Sequence, residues 1–160
     1  FMQKPFILVV DDNRITTKLL RRYLEANGYD AAEAYDGIDC LEKVEQRNPD
    51  AIVLDVMMPR LDGYETVKRL KEQAHTNHIP VVIVTALNDV ANQIKSIEAG
   101  ADDFLSKPIE EKLLIAKVRL LSSLNIAKLN NIKYENLLVK VANNQVKIDG
   151  LNLDDIKELI

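Results

Sequence analysis

The sequence predicts an α/β fold: a doubly wound open sheet of five parallel strands with helices on both faces, followed by a C-terminal helical extension. Two observations predict it. Short apolar runs alternate five times with longer segments of helical period, the pattern of strand-and-helix repeats. The first of these runs, Phe6 to Val10, is apolar without interruption, as expected of a strand buried on both faces.

Strand one is Phe6 to Val10, and helix one follows from about Arg14 to Ala26, with Ile15, Leu19, Leu20 and Leu24 at helical spacing and Asn27-Gly28 as its stop. Strand two is the weak run Ala31 to Ala34. After the Asp36-Gly37 turn, Ile38, Leu41 and Val44 mark helix two, which must end before Asn48-Pro49. Strand three is Ala51 to Leu54. Helix three runs from about Gly63 to Gln73 with Tyr64, Val67 and Leu70 on one face. Pro80 introduces strand four, Val81 to Val84. Helix four spans roughly Val90 to Ala99 and stops at Gly100, strand five is Asp103 to Leu105, and a last helix begins around Ile109.

Composition narrows the class. The chain has 160 residues, 47% hydrophobic and 29% charged, which describes an ordinary soluble globular protein of one domain plus a short appendage. A net charge of −4 without clustered Lys and Arg gives no expectation of direct nucleic-acid binding. No apolar run is long enough to span a bilayer, and the single cysteine, Cys40, cannot form an internal disulfide, so a reduced, cytoplasmic setting without membrane attachment is expected. Phe1 precedes what looks like an initiator methionine and is set aside.

Doubly wound sheets bind ligands beyond the carboxyl ends of their strands. At that rim stand Asp11 and Asp12 after strand one, Asp55 after strand three, Thr85 after strand four and Lys107 after strand five. Strand two delivers nothing, as expected of an edge strand in the order 2-1-3-4-5. Taken singly, each residue has a plainer reading. The Asp pair reads as a helix N-cap and its neighbour, Asp55 as a turn residue, Thr85 as the cap of helix four and Lys107 as a solvated loop lysine. Together they do not. Three carboxylates at one rim repel one another, so the convergence predicts a hard divalent cation with oxygen ligands, magnesium first.

The segments VVDDN, VLDVMMPRLDGYE, IVTA and GADDFLSKPI, in this order and spacing, resemble the successive signatures of response-regulator receiver domains of two-component signalling, the CheY-like superfamily. The resemblance covers about residues 5 to 125, and its fold is the flavodoxin-like (βα)5 one. It implies that Asp55 is the phosphoacceptor, and that Asp11, Asp12, Asp55 and the backbone carbonyl of Met57 hold Mg2+, with Mn2+ as a substitute. It implies further that Thr85 and Lys107 contact the phosphoryl oxygens, that Phe104 is the aromatic that turns inward on activation, and that Lys107-Pro108 is a cis peptide. Phe104 alone also reads as core packing. Met57 and Leu87 lie where the family tunes water access to the acyl phosphate. The resemblance also implies a histidine kinase or a phosphotransfer protein as phosphoryl donor, and as output a changed face built from helix four, strand five and helix five.

Other residues read more plainly. His75 and His78 have the spacing of a metal pair but sit in a polar loop without cysteine, and are read as loop histidines. Cys40 is a small packing residue. Asp62-Gly63 makes the turn into helix three. An aspartyl phosphatase of the haloacid-dehalogenase type is the alternative function. It needs a second acid two residues after the nucleophile, where this chain has Met57, and an inserted cap, which the sequence lacks. The reading is therefore a signalling domain that catalyses only its own phosphorylation and dephosphorylation. A receiver that is never phosphorylated is the degenerate alternative, disfavoured because all five site residues are present.

The resemblance fades after about residue 125, so residues 1–125 are expected to form the receiver and 126–160 a helical extension, or a linker to an output domain absent from this chain. Leu120, Leu124, Ala127, Asn131, Tyr134, Leu138 and Val141 follow a heptad-like spacing, which continues helix five beyond the domain. A coiled-coil homodimer and a helix folding back on the receiver both account for it, and the face of helix four, strand five and helix five is a second candidate for self-association. Asn152 to Ile160 reads as a short capped helix. No helix-turn-helix, nucleotide-cyclase or phosphodiesterase motif is legible.

Overall fold

The computed structural model describes residues 3–86 and 89–143. Its elements run β1 (Phe6–Val10), α1 (Arg14–Ala26), β2 (Asp30–Ala34), α2 (Gly37–Gln46), β3 (Ala51–Asp55), α3 (Gly63–Glu72), β4 (Val81–Thr85), α4 (Val90–Ala99), β5 (Asp103–Ser106) and α5 (Glu111–Ala142). The five strands form one parallel sheet in the predicted order β2-β1-β3-β4-β5. The weak second run lies at the edge, where fewer apolar residues are needed.

Strand alternation divides the core between the two faces of the sheet. Ile7, Val9, Val53 and Val84 pack on one face with Leu20 and Leu24 of α1 and Leu114, Ile115 and Val118 of α5. Leu8, Val10, Leu54 and Ile83 pack on the other with Cys40 and Val44 of α2 and Val67 and Leu70 of α3. Each fully buried aliphatic side chain contributes roughly 1.5–3 kcal/mol, so the central strands are the most strongly held part of the fold. That rigidity is what fixes the strand ends.

Helix one shows where the sequence pattern misleads. Ile15 and Leu19, expected on the core stripe, are 80% and 45% exposed, and the buried positions are Thr17, Leu20 and Leu24. Thr17 is tolerated inside because its hydroxyl donates to the Arg14 carbonyl at 3.0 Å. The cap of α1 is Asn13, whose side chain accepts from the Ile15 and Thr16 amides, and the cap of α4 is Asp89. Asp11, Asp12 and Thr85 are thereby free of the capping roles that were their plainer readings. Asp62 caps α3, as the turn into that helix requires. Gly100 closes α4 at φ 99°. The final helix begins at Glu111, two residues later than expected, with the Leu114 amide donating to the Glu110 carbonyl at 3.0 Å.

The chain divides into two compact units, Phe1–Ser123 and Leu124–Ile160. In α5, Leu120, Leu124, Tyr134 and Leu138 are exposed, as are Ala127 and Asn131, while Val141 is half-buried. The predicted helix over Asn152 to Ile160 falls outside the described residues. Among the described residues, no helix is long and apolar enough to cross a membrane.

Candidate functional site

Each strand end is delivered to the rim by the pairing behind it. Val10 is in register with Leu54 and Asp55 with Val84, so Asp11 follows directly beside Asp55, and Thr85 is the residue after Asp55's partner. The Asp11 amide donates to the Ala34 carbonyl at 3.1 Å, and the Lys107 amide to the Thr85 carbonyl at 2.8 Å, which pins the segment after β5 to the end of β4. The geometry is set by backbone.

The structure brings three carboxylates together, with one oxygen each from Asp11, Asp12 and Asp55 lying within 4.8 Å of one another. Asp11 and Asp55 are buried and Asp12 is exposed. Lys107 Nζ lies 3.0 Å from Asp55 Oδ1. Thr85 is buried, and among the described residues its hydroxyl finds no hydrogen-bond partner. Met57 is 78% exposed in the loop after β3. Leu87 lies outside the described residues.

Burial is the largest electrostatic effect on Asp11. Desolvation, with the neighbouring Asp55 carboxylate as a further contribution, pushes the Asp11 carboxyl up to about 6, against the opposing effects of the Asn13 amide and the Lys107 ammonium. Such a cluster favours a cation. The donors are all hard oxygens within 4.8 Å of one another, the donor type that a hard divalent cation such as magnesium takes. The Thr85 hydroxyl, one residue past the strand partner of Asp55 and unpartnered among the described residues, is an available donor for an anion. The residues present fit a hard divalent cation beside an oxyanion.

Phe104 is half-buried on β5 and lines a groove of about 410 Å³ with Ser106, Pro108, Leu113 and Lys117. Lys117 Nζ donates to the Phe104 carbonyl at 2.7 Å and lies 5.2 Å from its ring centroid. The Lys107-Pro108 peptide is cis. His75 Nε2 meets Glu45 Oε1 at 2.6 Å. Cys40 is fully buried, and burial pushes its thiol up to about 12, as suits an inert packing residue.

Three features escape the sequence reading. Asn13 both caps α1 and donates its amide to Asp11 Oδ1 at 2.9 Å, and the N-cap preference for Asn was the available signal. Lys117 beneath Phe104 is thirteen residues away with no motif to mark it. Arg60, with φ 65°, makes a two-pronged ion pair with Asp36, and neither its backbone nor its partner has a local signature.

Comparison with known proteins identifies the family. The family model described as "Response regulator receiver domain" matches residues 7–119. Response regulator MprA of Mycobacterium ulcerans (strain Agy99) is 44% identical over 115 residues, covering 72% of this chain and 49% of that protein. The chain thus spans about half the length of the curated relatives it matches. The receiver domain of the Francisella response regulator 1452 superposes with a TM-score of 0.69 at 36% identity, covering 74% of this chain and 97% of that one. The chemotaxis response regulator CheY4 of Vibrio cholerae superposes with a TM-score of 0.70 at 26% identity, covering 74% and 99%. This chain belongs to the response regulator receiver domain family, the receiver modules of two-component signalling.

Proposed function

We propose that Asp55 is the phosphoacceptor, supplied by a histidine kinase or a phosphotransfer protein, and that Asp11, Asp12, Asp55 and the Met57 carbonyl hold Mg2+ or Mn2+. The observation that carries this reading is the Lys107 ammonium 3.0 Å from a buried Asp55 carboxylate, inside an acidic cluster, with the Thr85 hydroxyl at the end of the neighbouring strand unpartnered among the described residues. When bound, the cation supplies positive charge that balances the carboxylates and the phosphoryl oxygens.

The chain's own residues then account for the transfer. An Asp55 oxygen attacks phosphorus in line as the bond to the donor's imidazole nitrogen breaks, and the departing imidazole takes up a proton from solvent. Lys107 supplies a second positive charge and Thr85 a hydroxyl donor toward the equatorial oxygens, both positioned before the reaction. The product is an acyl phosphate, labile enough for a transient signal.

The switch follows from the same hydroxyl. Thr85, satisfied by the new phosphoryl oxygens, moves toward Asp55, and the Phe104 ring turns into the space behind it, reshaping the surface of α4, β5 and α5. That surface exposes Val90, Ile94 and Ile97 of α4, and the heptad-spaced face of α5 lies open along Leu120, Leu124 and Leu138. A second copy of the chain is the proposed partner for these faces. The domain division is proposed to fall near residue 125, with the receiver before it.

Beryllofluoride, a stable mimic of the phosphoryl group, tests the site. With Mg2+ present, fluorine NMR should show a bound signal for the wild type and none for Asp55→Asn, and a wild type without that signal refutes the reading. Sedimentation velocity with and without the mimic tests self-association, which a monomer in both states would exclude.

A further inference from the structure

The loop from Met57 to Asp62 is tied at its base and at its tip. At its base, the Gly63 amide donates to the Val56 carbonyl at 2.9 Å, and Gly63 sits so close to β3 that a Cβ would meet the Asp55 carbonyl oxygen at 2.5 Å. At its tip, the Leu61 amide donates to the Pro59 carbonyl at 2.7 Å across Arg60, whose φ is 65°. This is a γ-turn of the positive-φ kind, rare and strained for a residue with a side chain. Something must hold it.

The Arg60 side chain does so. Its Nε and Nη2 donate to Asp36 Oδ2 and Oδ1 at 2.7 and 2.9 Å, a fork-to-carboxylate pairing of the strongest geometric type. Asp36 is itself immobilised. It is buried, caps α2 through the Asp39 amide at 2.8 Å, and precedes Gly37, where a Cβ would meet the Leu61 carbonyl oxygen at 2.6 Å. The Arg60 guanidinium holds the Asp36 carboxyl below the usual carboxylate range. Between the two ties lie Met57, Met58 and Pro59. Met58 packs against the core, and proline has little backbone freedom, so the peptide of Met57 has few orientations left.

We propose that the Asp36–Arg60 pair is a positioning element for the divalent-cation site, holding the β3–α3 loop so that the Met57 carbonyl faces the carboxylates. The inference rests on the reading of the acidic rim as a cation site. Its function is to pre-order a ligand that is backbone, and therefore cannot be replaced by a rotamer change.

Titration of the intact chain with Mg2+ alone, followed by calorimetry well below the unfolding temperature, tests this. Arg60→Gly removes the side chain while easing the backbone, and Asp36→Asn keeps an acceptor for the Asp39 amide while removing the charge. Each should weaken Mg2+ binding by about tenfold, as loss of an outer-shell partner does. The double variant should be no weaker than the single ones, and Arg60→Lys should recover part of the loss. Arg69→Ala, which breaks a surface ion pair elsewhere on α3, should leave binding unchanged. Affinities of both single variants within about twofold of wild type, whatever their thermal stabilities, would overturn the proposal. A wild type that binds no Mg2+ would instead remove the cation site itself, and the positioning role with it.

Discussion

Lys107 Nζ and Asp55 Oδ1 are 3.0 Å apart, the Asp55 carboxylate buried and the lysine nearly half exposed. The pair joins the end of β3 to the segment after β5, and that segment's backbone is bonded to Thr85. A positive charge in this position has opposite consequences for two ligands. It attracts the phosphoryl group and repels the cation.

Lys107→Met separates those effects. Phosphoryl transfer to Asp55 from a small-molecule donor should slow by about 10²-fold, as when one preorganised transition-state donor is lost. Mg2+ affinity should rise a few-fold because a nearby like charge is gone. Rapid-quench phosphorylation and Mg2+ titration check the two arms, and a loss of both would show that the variant had damaged the pocket.

Asp11 carries a pH signature. Its folded-state value of about 6 lies above the ordinary 3.8, so the folded chain holds this proton more tightly than the unfolded one. That contribution favours folding below about pH 4 and is lost as pH rises through about 6. Without divalent cation, Asp11→Asn should therefore stabilise the chain by about 1–2 kcal/mol near neutral pH and have little effect near pH 4. Thermal denaturation at the two pH values checks it. Added Mg2+ should stabilise the wild type more at neutral pH than at acid pH, and the variant much less.

Thr85 carries a buried hydroxyl without a partner among the described residues. Thr85→Val removes a desolvated polar atom at nearly constant shape and should stabilise the unphosphorylated chain by up to about 1 kcal/mol. Asp55 should still be phosphorylated, more slowly, while the response at Phe104 is lost. Urea unfolding reads the first effect, and fluorine NMR of a fluorophenylalanine-labelled chain reads the second.

Gly63→Ala places a Cβ 2.5 Å from the Asp55 carbonyl oxygen and 2.9 Å from Val56 Cα. Both neighbours are backbone and cannot turn aside. The substitution should destabilise the fold by about 1–3 kcal/mol and slow phosphorylation by displacing the end of β3. Urea denaturation together with a phosphorylation time course checks both effects.

The strands and the rim were legible because their signals are local. An apolar run followed at once by Asp11, Asp55 or Thr85 marks both a strand and what its end presents. The face of α1 was not. Ile15 and Leu19 share helical spacing with the core, and Thr17 takes the buried position because its hydroxyl is satisfied one turn back, at the Arg14 carbonyl. Lys117 beneath Phe104 and Arg60 against Asp36 were illegible for another reason. Each pairing depends on tertiary approach, across 13 residues in one case and 24 in the other, and on backbone shapes that no composition rule marks.

Incubation of the chain with acetyl phosphate and Mg2+, followed by intact mass spectrometry, tests whether Asp55 accepts the phosphoryl group. The wild type should gain the mass of one phosphoryl group, while Asp55→Asn and a chelated control gain none. An unmodified wild type, or an Asp55→Asn chain modified as readily as the wild type, would contradict Asp55 as the acceptor.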